Sequence, residues 1–74
     1  MENFHLTDIG GIWHLTKEGS DHAARTFPTK EEAVRGSADY LEGKVASLKI
    51  HDRDGKIEEE RTYPRSADPS RPKG

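Results

Sequence analysis

Cysteine is absent from this 74-residue chain, which rules out disulfides and thiolate-bound zinc as sources of stability. Apolar residues are scarce, at 30% against 35% charged, and so short a chain buries a smaller share of its surface than a longer one. Composition therefore allows one domain around one thin core. Modest stability or self-association has to make up the difference. No apolar run approaches the ~20 residues needed to span a bilayer. The opening Met1-Glu2-Asn3-Phe4-His5 has neither the basic stretch nor the apolar segment of a signal peptide. A cytoplasmic protein without membrane contact is the expectation. Neither sign of charge prevails: 12 Lys and Arg face 14 Asp and Glu, a net charge of −2. Non-specific nucleic-acid binding works through phosphate neutralisation, so this balance disfavours it.

What is present is patterned. Phe4 and Leu6 alternate with His5 and Thr7, and Trp13 and Leu15 with His14 and Thr16, the period of a half-buried strand. Asp8-Ile9-Gly10-Gly11 separates these runs as a hairpin turn. Beyond Glu18-Gly19-Ser20, Ala23 to Phe27 reads as a third short strand. Thr29, with Glu32 three residues on, forms a capping box that predicts a helix start. Ala33, Val34, Ala38, Leu41 and Val45 then recur at helical spacing as one apolar stripe. Gly36 is expected to weaken this helix by about 1 kcal/mol relative to Ala, and Gly43 to cap its end.

Period two then returns. Ala46, Leu48 and Ile50 share one face, and Ser47, Lys49 and His51 the other. Asp54-Gly55 predicts a two-residue hairpin turn, and Lys56 to Tyr63 the returning strand. There Ile57, Glu59, Arg61 and Tyr63 fall on the core side by parity, with Lys56, Glu58, Glu60 and Thr62 facing out. Inward charge of this kind marks an edge strand. Residues 64–74 contain three prolines and one apolar residue and are expected to form a flexible charged tail. The predicted architecture is α+β over residues 1–63. A small antiparallel sheet, in chain order βββαββ, carries one helix packed on one face.

The order Trp13, Glu18-Gly19, Phe27-x-Thr29-x-x-Glu32-Ala33, Leu48-x-Ile50-His51-x-x-Asp54-Gly55-x-Ile57, Tyr63, Asp68-Pro69 and Gly74 resembles the short bacterial proteins grouped as domain of unknown function 2188. The resemblance covers nearly the whole chain. It implies no activity, cofactor or catalytic residue.

Candidate sites reduce to one surface. Parity places His5, His14 and His51 with Lys49 and Lys56 on the face away from the helix, where imidazole and ammonium groups suit phosphates, bases or a metal ion. A solvated polar face accounts for the same residues. Asp52-Arg53-Asp54-Gly55 with Glu58, Glu59 and Glu60 misses the register of a calcium loop. These carboxylates lack the shared desolvated pocket that acid/base chemistry needs. No serine occupies a nucleophile elbow, and Gly10-Gly11 lacks the context of a phosphate loop. Trp13, in phase with Leu15, reads as a core anchor.

A non-enzymatic binding module without cofactor, acting through protein contacts including its own second copy, is the leading expectation. A nucleic-acid binder using the open face is the alternative, and a metal protein using its histidines the next.

Overall fold

A computed structural model of the chain describes residues 1–63; the tail expected over 64–74 lies outside them. Five strands, β1 (Glu2–Ile9), β2 (Ile12–Lys17), β3 (Ala23–Phe27), β4 (Ala46–His51) and β5 (Ile57–Tyr63), enclose the helix α1 (Lys30–Leu41) in chain order. They form one sheet in the order β3-β2-β1-β4-β5. It is mixed and mostly antiparallel: β4 runs parallel to its neighbour β1. The chain leaves β3, crosses through α1 and returns beside β1, and a crossover of this length permits parallel pairing. The expected α+β class and element order hold, with this one parallel pair added.

The first hairpin closes over Gly10 and Gly11 between the paired Ile9 and Ile12. Their φ values of 62° and 89° meet the demand of a two-residue turn for positive φ at both positions. The second hairpin differs from the expected two-residue turn. Asp54 has no positive φ, and Gly55 alone reaches 88°. The Asp52 amide donates to the Lys56 carbonyl at 2.7 Å, and the Gly55 amide to the Asp52 carbonyl at 3.0 Å. The loop is therefore Arg53-Asp54-Gly55. The Asp52 carboxylate selects it by accepting from the amides of Asp54 and Lys56, both at 2.9 Å, an arrangement open to Asp side chains in turns.

That longer loop changes the parity of β5. The register shifts at Ile50/His51, so that Glu59 lies opposite Ile50 but Ile57 opposite His51. A bulge of this kind rotates what precedes it onto the other face. Ile57, expected in the core, is instead 55% exposed. Glu58, expected on the open face, forms an ion pair with Lys30 of α1. Glu59 and Arg61 keep their expected helix side, and β5 is an edge strand as expected.

Phe4, Leu6, Trp13, Leu15, Leu48, Ile50 and Tyr63 pack from the sheet against Ala33 and Leu41 of α1, with Val34 and Ala38 partly buried beside them. The helix starts at the expected place. Thr29 has extended geometry, and its Oγ1 accepts from the Glu32 amide at 3.2 Å. The other half of the capping box, a bond from the Thr29 amide to the Glu32 carboxylate, is not made among the described residues. At the far end the Lys44 amide donates to the Leu41 carbonyl at 3.0 Å across Gly43. Val45 therefore leaves the helical stripe and is 57% exposed. Ser37 takes the inward position instead, fully buried, with no hydrogen-bond partner for its hydroxyl among the described residues.

Gly36 has a role that propensity alone does not reveal. The Phe27 ring packs against its Cα, where an added Cβ would overlap the ring edge. Gly36→Ala should therefore lower the melting temperature, because displacing a packed ring costs about 1–3 kcal/mol against a helical gain of about 1 kcal/mol. A raised melting temperature would show that the ring moves away freely. Leu48→Ala should cost about 2–5 kcal/mol by opening a cavity at the sheet centre, read as a lower denaturant midpoint. A loss below about 1 kcal/mol would contradict that burial.

Candidate functional site

The helix covers one face of the sheet, and among the described residues the other face is open. Alternation along each strand fixes what the open face carries. The pairing of Thr7 with His14 and His14 with Thr26 aligns these three across β1, β2 and β3. Thr16, His5, Lys49 and Glu60 form a second row, and Asn3, Ser47 and Thr62 a third. Ile9 and Ile12 end the face at the first hairpin, and Ile57 joins it opposite His51.

Of the five residues singled out from sequence, His5, Lys49 and His51 are brought together. Parallel pairing puts His5 opposite Lys49, and the two imidazoles touch: His5 Nδ1 is 2.8 Å from His51 Nε2, with ring centroids 5.0 Å apart. His14 lies on the far side of β1, opposite Thr7, and makes no side-chain hydrogen bond among the described residues. Lys56 is not on the strand at all. It belongs to the loop before β5, where the Asp52 carboxylate holds its amide.

The histidine contact extends at both ends. His5 Nε2 lies 2.9 Å from the Glu18 carboxylate, and His51 Nδ1 2.9 Å from the Gly55 carbonyl. Both termini of this chain are pure acceptors. Three N–H bonds are needed to complete it, and two neutral imidazoles supply two protons. Two neutral imidazoles therefore close two of the three links. The ring nitrogens point at each other and at these acceptors and do not converge on one point. Among the described residues no group of three or more His, Asp or Glu is placed to hold a metal ion.

Lys49 is equally engaged. Its ammonium donates to Asn3 Oδ1 at 3.0 Å and Ser47 Oγ at 3.2 Å, and lies 3.7 Å from Glu60. Glu18 was the residue sequence reasoning missed here. It continues the His14, Thr16 parity one step past β2, a signal hidden by reading Glu18-Gly19 only as a break. Hydrogen bonding from His5 holds the Glu18 carboxyl below its ordinary value, opposed by desolvation and helped to a lesser degree by the charges of His5 and Lys49.

The helix side is recessed at the helix start and again between α1 and β5. The recess at the helix start, of about 490 Å³, is lined by Asp8, Trp13, Lys30, Asp52, Arg53 and Glu58. Its charges are paired: Lys30 with Glu58, and Arg53 with Asp8 at 3.9 Å. The recess between α1 and β5, of about 460 Å³, is lined by Lys30, Glu31, Val34, Arg35, Glu59 and Arg61. A hydrogen bond to Glu59 holds the Arg61 guanidinium more firmly protonated than usual.

A depressed carboxyl contributes stability that is present above its unfolded value and lost as pH falls through the lower folded value. For exposed Glu18 this contribution is small, so the titration itself is the better readout. His5→Gln should raise the Glu18 midpoint, followed by carboxyl carbon shifts, back to the ordinary carboxylate range of about 4.3. An unchanged midpoint would contradict the His5–Glu18 bond.

No helix among the described residues is long and apolar enough to cross a membrane. Comparison with curated proteins and with solved structures finds no match. The sequence profile of one family matches residues 4–63, the span from the first buried aromatic of β1 to the last of β5. The chain belongs to this family, described as an uncharacterized protein conserved in bacteria (DUF2188).

Proposed function

We propose that this chain is a small non-enzymatic binding module that acts in the cytoplasm through protein contacts. One observation supports this reading above the others: three open-face groups suited to an anion, Lys49, His5 and His51, are already engaged with their own neighbours. Lys49 is held by Asn3, Ser47 and Glu60, His5 by Glu18, and His51 by Gly55. A phosphate backbone would have to break these bonds, and the net charge of −2 gives it no compensating attraction. The apolar side chains Ile9, Ile12 and Ile57 remain exposed, and among the described residues the outer edges of β3 and β5 lack a neighbouring strand. Exposed apolar groups and open strand edges are the means by which proteins bind proteins.

The full chain, immobilised and exposed to a bacterial cell extract, should retain protein, and nuclease treatment should leave that retention unchanged. Recovery of nucleic acid whose retention falls steeply with salt would support the competing reading instead. A melting temperature that climbs with added zinc would point to the histidines as metal ligands.

A further inference from the structure

The two sheet edges differ in the charge they present. On β5 the two helix-side residues that flank Glu60 are Glu59 and Arg61, bonded to each other at 2.6 Å along the strand and both solvent-accessible. We infer that β5 is the surface through which two copies of this chain associate, pairing antiparallel about a two-fold axis at Glu60. The inference rests on the protein-contact reading above and names the partner.

Antiparallel neighbours place residues of the same face directly opposite each other. A two-fold axis at residue 60 therefore sets 59 against 61 and 61 against 59. Each Arg61 gains the Glu59 carboxylate of the second copy while keeping its own, and the four groups alternate in sign around the axis. Opposite charges across a strand pair are favourable and like charges are not.

The one like-charge pair is Glu60 against itself, on the open face. Its carboxylate is already drawn inward over β4: Ser47 Oγ donates to it at 3.0 Å, and Lys49 lies 3.7 Å away. On the helix side, the 460 Å³ recess between α1 and β5 leaves room beside the edge for incoming side chains. Edge β3 offers no such match. Its one charged residue, Arg25, would meet itself at a central axis, and its guanidinium is stacked 4.9 Å from the Tyr40 ring centroid. The paired segment of β5 is short, so the association belongs with small, reversible interfaces.

Sedimentation equilibrium of the full chain from about 10 μM to about 1 mM should show mass rising from monomer to dimer. Arg61→Glu and Glu59→Arg each set like charges across the axis and should weaken dimerisation at least ~10-fold. The double exchange E59R/R61E preserves the alternation and should restore affinity to within ~3-fold. A cysteine at the axis tests the geometry separately, because the chain has no other thiol. Antiparallel Cα separations of about 4.5–5.5 Å suit a disulfide. Glu60→Cys should therefore oxidise to a covalent dimer, and Arg25→Cys, at the corresponding central position of β3, should not. A chain monomeric throughout, affinity indifferent to the single reversals, or equal cross-linking through β3 would each overturn the inference. If the extract still yields protein partners in that case, the protein-contact reading stands without self-association.

Discussion

One helix has to cover a five-stranded sheet, and it cannot. Twelve residues of α1 make a rod about 18 Å long and about 10 Å wide, while five strands spaced about 4.8 Å apart are roughly 20 Å across. The helix lies nearest β2 and β3. Leu6, Leu15, Leu48 and Ile50 are fully buried beneath it, and the β5 side is left with a charged cleft. The rest of the structure follows from this shortfall. Glu58, Glu59 and Arg61 occupy helix-side positions where apolar residues would be stranded. Ion pairs with Lys30 and within the strand keep them hydrated at their tips. The opposite face is uncovered among the described residues and is polar, with His5, Ser47, Lys49 and His51 each bonded to a neighbour.

The open face therefore works first as a brace. The chain Glu18–His5–His51–Gly55 ties the end of β2 to β1, β4 and the β4–β5 loop, and Lys49 ties β1 to β4 and β5. Two of them, His5–His51 and Lys49–Asn3, cross the parallel β1–β4 pair, where pairing is slightly less stable per residue. In a domain with so few apolar residues, such cross-strand polar contacts contribute where burial is limited.

Much of this was legible in the sequence, for local reasons. Thr29 at the helix start, the Gly10-Gly11 turn and the inward parity of Trp13, Leu15, Leu48 and Ile50 all depend on neighbours a few residues away. The misreadings come from a side-chain bond, a helix end and a packing contact that strand parity and helical spacing do not express. Ile57 and Glu58 changed sides because a side-chain bond from Asp52 lengthened the loop and shifted the register at Ile50/His51. Val45 left the core because Gly43 ended the helix first. Gly36 looked like a defect until Phe27, from another element, was found against it. For the site, parity correctly put His5, His14 and His51 on one face. Their separation into a touching pair and an outlier required knowing that β4 borders β1, a long-range pairing that no local pattern encodes.

The proposed contact surface of this chain is the outer edge of β5. Amide hydrogen exchange of the full chain at low and high concentration tests that claim most directly, since exchange reports local opening and covering strand by strand. Protection should rise with concentration over residues 59–62 and stay unchanged over β3. Protection that is independent of concentration throughout, or that rises at β3, would contradict it.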